Sequence, residues 1–361
     1  MIIVDWIKHI INLATYPWWS VTLSIVVLFW AINSPKPWSK RGGIVMGLGA
    51  ILFFALSLLD PNFRSVATYP DNVPIVGMLG LVGFTVWFSM NQAYENDRRI
   101  AAGLPTIEQE DSNKKVFTWP DLVYAELVAL VLTTAILIVW SIYLKAPLEE
   151  PANPTSSPNP AKAPWYFLGL QEILVYYDPW MAGVLLPGMI VNGLQAIPYI
   201  DTNPKGNGYF TWKERKWEIG AFLFGFLILW VLLIFIGTFL RGPNWNFFGP
   251  YEYWDATKLV PLNNVNLSEF FWVKWVGSSL PTFWLKREAL GLVLCAAYLF
   301  ALPPLLAQTI LRRFYLKMGV VRFMIGVNLL QFMASLPIKM YLRWLFNLKY
   351  IVYIPEFFFN I

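Results

Sequence analysis

LVYAELVALVLTTAILIVWSIYL, residues 122–144, decides the fold. It carries one charge, Glu126, and is long enough to cross a bilayer, which takes about 20 helical residues. Seven more apolar runs flank it: Trp18–Asn33, Ile44–Leu59, Ile75–Met90, Trp180–Ile200, Trp217–Leu240, Ala289–Leu311 and Val320–Leu336. The first three are short for a span, and flanking Trp and Lys extend them through the interface. The last is also short and holds Asn328 and Gln331. Only 14% of the residues are charged, against about 25% in a soluble domain. The expected fold is all-α: a polytopic transmembrane helical bundle of about eight spans with interfacial segments. The 19 Trp suit a chain with many membrane–water boundaries.

Basic residues set the orientation. With the N-terminus outside and eight crossings, four loops fall inside. They carry Lys36, Lys40 and Arg41; Arg98, Arg99, Lys114 and Lys115; Lys205, Lys213, Arg215 and Lys216; and Arg312, Arg313 and Lys317. The two long outside segments hold only Lys145 and Lys162, then Arg241, Lys258, Lys274, Lys286 and Arg287. All four inside loops follow the positive-inside rule. Residues 1–92 then form an N-terminal three-helix membrane extension and 93–118 an inner-side polar linker. Residues 119–240 are the central region, and 241–361 a long outer loop, two further spans and an interfacial tail. The tail interleaves Lys339, Arg343 and Lys349 with aromatics, which predicts a surface helix and an extended end. No cleavable signal peptide is evident, since Asp5 and Lys8 interrupt the first residues.

Some chemistry is excluded by count. The single Cys295, in an apolar run, rules out an intrachain disulfide and a Cys-ligated cluster. The single His9 rules out a bis-His haem within the chain, and no nucleophile motif accompanies it. There is no phosphate loop and no HExxH. Within the spans, Glu126 is either a first-turn acid near the inner interface or part of a proton path. Asn192 with Gln195, and Asn328 with Gln331, share faces and predict interhelical hydrogen bonds. Pro187 and Pro198 should kink or end the fifth span.

The stretch with the most chemical character is EEPANPTSSPNPAKAPWYFLGLQEILVYYDPW, Glu149–Trp180. It follows an entry WPDLVY (119–124) and precedes a span ending AIPYID (196–201). In order and spacing the series resembles the C-terminal part of cytochrome b, a separate chain called subunit IV in chloroplast-type complexes. The counterparts are Trp119, Pro120, Asp121, Leu122 and Tyr124; then Glu150, Pro151, Ala152, Asn153 and Pro154; then Pro198, Tyr199, Ile200 and Asp201. The resemblance covers about Val116 to Leu240.

That resemblance implies half of an outer quinol-oxidation site beside the docking region of an iron–sulfur protein. Pro164, Trp165, Tyr166, Phe167 and Leu168 would line the quinol pocket. A quinol cannot give up both electrons without losing two protons, so a base must lie within hydrogen-bond reach. Here the sequence departs from the family. Ala163-Pro164-Trp165-Tyr166 stands where the family has Pro-Glu-Trp-Tyr, and Pro164 accepts no proton. Glu172 is the candidate proton acceptor, two helical turns on and about 80° round from Pro164; the other reading makes it a solvated acid on an interfacial helix. Tyr166, Glu149, Glu150 and Asp178 are the alternatives. Trp165, Tyr166 and Phe167 read either as pocket walls or as an aromatic belt.

The implied cofactors are a quinone or quinol at a shared site, and b haems on a partner chain. This chain binds none covalently. The implied partners are a haem-b-bearing cytochrome b N-terminal subunit, a Rieske-type iron–sulfur protein, a c-type cytochrome and the lipid bilayer. The implied location is an energy-coupling membrane, as in a bacterial inner membrane, with extra subunits on the N-terminal helices. Two readings compete: a scaffold that has lost the quinol chemistry, and a transporter, which the scarcity of buried charge and the absence of repeats oppose.

Overall fold

The computed structural model describes residues 2–146, 148, 151–205 and 210–361. Among these residues seven helices are long and apolar enough to cross a membrane: Lys40–Ser57, Val73–Ala101, Thr118–Tyr143, Met181–Ile200, Trp212–Leu240, Ala289–Gln308 and Val320–Phe346. A further pair, Ile3–Ala14 and Pro17–Ile32, meets the same length and apolarity only when taken together, and it is bent by 84°. The bend is fixed by chemistry. Tyr16 is extended before Pro17, which opens the second helix as its first-turn residue.

The packing runs in layers. At one end Val21, Ile173, Tyr176, Tyr177, Met181, Leu233, Leu240 and Met340 form a core from five elements. At the other end Ile32, Trp38, Met90, Trp212 and Leu223 form a second. Trp212–Leu240 contributes to both, so it is the central post. The polar contacts sort the loops in the same way. Lys8 pairs with Asp60, and Ser57 meets Tyr251 at one end; Arg215 pairs with Asp201, and Asn91 donates to Trp38 at the other. The loops meet in the two groups into which the charge pattern divides them.

Three expectations need correction. The polar stretch after the third span is not a loose linker. The helix from Val73 continues through the 92/93 boundary to Ala101. Asn96 and Asp97 face inward there. Asn96 donates to Glu108 and to the Phe210 carbonyl, and the Asp97 carboxylate accepts from the Lys213 amide at the start of the Trp212–Leu240 helix. Buried amides and carboxylates need such partners, and this demand orders the segment. The last span does not stop at Leu336. It passes Pro337 and ends at Phe346, where Asn347 turns left-handed. Lys339 therefore lies inside the helix, buried near the rings of Tyr177 and Tyr350 at 5.6 and 5.8 Å. The helical part of the expected tail is thus the end of this span, and the part beyond is extended, as expected. Leu348 bridges Val265, and Tyr353–Ile354 pairs antiparallel with Phe359–Asn360.

The third correction concerns the intramembrane amides. Gln331 exchanges hydrogen bonds with the Tyr298 backbone and hydroxyl across helices. Asn328 instead donates to Met324 of its own helix, and Asn192 and Gln195 face outward. Glu126 is also exposed. The long loop from Arg241 folds back on its own chain first, through Phe248 and Tyr251. Farther on it exposes Leu259, Leu262 and Trp275.

Candidate functional site

Pro164 is extended and exposed, and it starts a tight turn, Trp165–Phe167, which becomes the helix Leu168–Ile173. Gln171 reaches back and clamps the approach, accepting from the Ala163 amide and donating to the Ala161 carbonyl. The helix then seats on Trp212–Leu240 at two glycines. A Cβ on Gly169 would stand 3.3 Å from Ile234, and one on Gly237 would stand 3.1 Å from the Leu168 carbonyl. Side chains there would lift the helix off.

That close seat sorts the turn. Trp165, Tyr166 and Phe167 stay on the surface, 40%, 46% and 48% exposed. Their rings stand edge to face or tilted, with centroids 5.6 and 4.5 Å apart. Leu168 points inward and is 3% exposed. It anchors the helix and is no pocket wall, a correction to the expected lining. The aromatic residues form an open shelf. Two shallow grooves lie elsewhere, one lined by Val73, Ala135, Val139 and Tyr143 and one by Met189, Asn192, Met324 and Asn328.

Glu172 is not a solvated acid. It has no exposed surface. Its carboxylate accepts two bonds from Arg241, 2.7 Å from Nη2 and 2.9 Å from Nε, and a weaker one from the Tyr176 hydroxyl at 3.3 Å. The remaining Arg241 nitrogen, Nη1, donates to the Trp245 carbonyl at 3.0 Å. A buried carboxylate persists only when its charge and lone pairs are met, and the planar guanidinium fork does both. Burial alone would weaken the Arg241 charge, but the Glu172 carboxylate outweighs it and holds the guanidinium firmly protonated. Burial, followed by the Glu172 charge, pushes the Tyr176 phenol well above its ordinary range. Arg241 is the residue the sequence reading missed. It stood there only as one basic residue outside; its signal was its place at the end of an apolar span, where an arginine needs a partner.

Lys162 adds a second buried cation at this end. It donates to the Thr238 carbonyl at 2.7 Å and lies 4.8 Å from the centre of the Trp254 ring. Burial pulls its ammonium down to about 7. Asp178 accepts from the Tyr350 hydroxyl at 3.0 Å. Glu149 and Glu150 lie outside the described residues.

Residues 151–251 match the family described as cytochrome b (C-terminal)/b6/petD. These residues form a region of the cytochrome b C-terminal family. No solved structure matches the chain. The cytochrome b region contains the aromatic shelf and both partners of the Glu172–Arg241 pair. It begins after the Thr118–Tyr143 helix, whose WPDL entry carried part of the resemblance, and it extends past Leu240 to Tyr251. The chain is a multi-pass helical membrane protein that carries a cytochrome b-type region.

Proposed function

We propose that this chain is the haem-free C-terminal cytochrome b subunit of a membrane quinol:cytochrome c-type oxidoreductase. Its Glu172 end faces outward and forms part of the quinol-oxidation site and the iron–sulfur protein docking region. The observation that carries this reading is the exposed Trp165–Tyr166–Phe167 shelf, inside the cytochrome b region, on a base locked by a buried ion pair. Flat apolar rings suit a quinol head group. Partner chains complete the pocket, hold the b haems and accept the electrons, and the two protons leave at the outer face. In this way the subunit supports electron transfer and proton translocation.

Glu172 takes a different part from the one the sequence suggested. Both oxygens are occupied and neither faces solvent. We assign it to positioning: it fixes the helix that carries the shelf. The Tyr166 hydroxyl is then this chain's group within reach of a bound quinol, as a hydrogen-bond partner that hands the proton on to water or to a partner's base.

One observation favours a second reading, a scaffold without quinol chemistry. Pro164 replaces the family acid, and Glu172 is tied up. The intact complex, purified in mild detergent, separates the two. The proposed function requires co-purifying b haem in the redox spectrum, and its absence sinks that reading. Trp165→Ala with Tyr166→Phe should lower quinol oxidation by at least about 10²-fold if the shelf holds substrate for proton transfer. Unchanged turnover at every pH, with the complex intact, leaves the scaffold.

A further inference from the structure

The N-terminal helix, Ile2–Ala14, is sharply two-faced. At 100° per residue Asp5, Lys8, His9 and Asn12 fall within an arc of about 100°. Ile3, Val4, Trp6, Ile7, Ile10 and Leu13 lie on the opposite side and are 41–75% exposed. The polar side is already used by this chain. Lys8 forms an ion pair with Asp60 at 2.6 Å, and the Asn12 side chain accepts from the Tyr251 amide at 3.0 Å. Both partners lie at the Glu172 end, in the turn after Lys40–Ser57 and in the loop after Arg241. The loop therefore covers the polar face and leaves the apolar face open.

The bend decides what the open face meets. The next helix, Pro17–Ile32, is part of the bundle, packed through Val21 and Ile32 into the cores at both ends. With that helix across the bilayer, a bend of 84° lays Ile2–Ala14 along the membrane plane. The hinge is held. The Thr15 hydroxyl donates to the Asn12 carbonyl, and the Tyr16 ring packs on Phe247 with centroids 4.6 Å apart. A two-faced helix in this setting belongs in the boundary between headgroups and acyl chains.

We infer that Ile2–Ala14 is an in-plane membrane anchor whose apolar face is seated in lipid at the Glu172 end of the bundle. It acts as a float. It sets the depth of the Tyr251 loop, and through Phe247, beside Arg241, the height of the end that carries the shelf. The occupant is lipid and not a protein: the bend holds the face in the plane of the boundary, its aliphatic side chains suit the acyl region, and the Trp6 indole N–H suits the headgroups.

The test uses the full chain in its native complex, in nanodiscs of zwitterionic lipid. On a Cys295→Ser background, nitroxide labels are placed singly at Ile3→Cys, Ile7→Cys, Ile10→Cys and His9→Cys. Their collision rates with oxygen and with a water-soluble nickel chelate are then compared. The three isoleucine positions should be oxygen-accessible and nickel-shielded, about 5–10 Å below the headgroup boundary. The His9 position should favour nickel. Nickel access at all four positions would put the helix in water and overturn the inference. Shielding of the isoleucine positions from both reagents would mean a protein covers the face, and would overturn it too.

Discussion

Replacing Arg241 with methionine keeps the apolar stem and removes the guanidinium. Glu172 then loses its bonds at 2.7 and 2.9 Å and keeps only the Tyr176 hydroxyl at 3.3 Å. Since the carboxylate has no exposed surface, water does not replace the lost donors. Breaking a buried pair from one side costs about 3–5 kcal/mol. Glu172→Leu with Arg241→Met removes both charges, and such apolar replacements are roughly neutral or stabilising by about 1–4 kcal/mol. The double variant should therefore be more stable than Arg241→Met alone. The assay is SDS-driven unfolding in mixed micelles, with both single variants and the double closing a cycle. A cost below about 1 kcal/mol for Arg241→Met would be that of an exposed pair and would refute the buried-pair reasoning. So would a double variant destabilised by the sum of the singles.

Other consequences can be checked in the same system. Lys162 is held near 7 in the folded chain and returns to the ordinary lysine range on unfolding. Between these values the unfolded state binds more protons, so stability should rise from about pH 7 towards pH 10, by at most about 1.4 kcal/mol per unit. Lys162→Met should flatten that slope, and parallel pH profiles of the two proteins would contradict it. Gly169→Leu should overpack the seat against Ile234 and cost about 1–3 kcal/mol, with quinol turnover falling as the shelf shifts. Asp97→Ala should remove the cap on the Lys213 amide and cost about 0.5–2 kcal/mol in thermal unfolding. An equal loss for Asp97→Asn would show that charge, not acceptor geometry, carries that contact.

The spans were legible because lipid imposes a simple rule: length and apolarity suffice. Charges at loop ends divide the loops into two groups, and the polar contacts group the loops in the same way. Ends were less legible. Pro337 and Lys339 look like the end of a span, yet the helix runs on through the proline and aromatic rings flank the lysine. The linker misled for a similar reason. Asn96 and Glu108 look solvated, and the Phe210 carbonyl that Asn96 bonds is 114 residues away in sequence. The candidate site shows the same limit. The aromatic shelf was visible as a motif. The role of Glu172 was not, because Arg241, 69 residues on, determines it.

The Thr118–Tyr143 helix buries none of its residues against the rest of the chain. Its backbone bonds are internal and lipid satisfies its side chains, so it persists once inserted without a neighbour. Two connections, residues 112–117 and 144–164, hold it to the molecule. At about 3.3 Å per residue, the longer one could reach roughly 70 Å when extended. An apolar-for-apolar substitution on any face of this helix should leave the isolated chain's stability within about 0.5 kcal/mol. The same substitution would be felt by whichever subunit packs there. Natural selection therefore reads this segment through its neighbours' folds, and its record of tolerated change belongs to the assembly and not to the chain that encodes it.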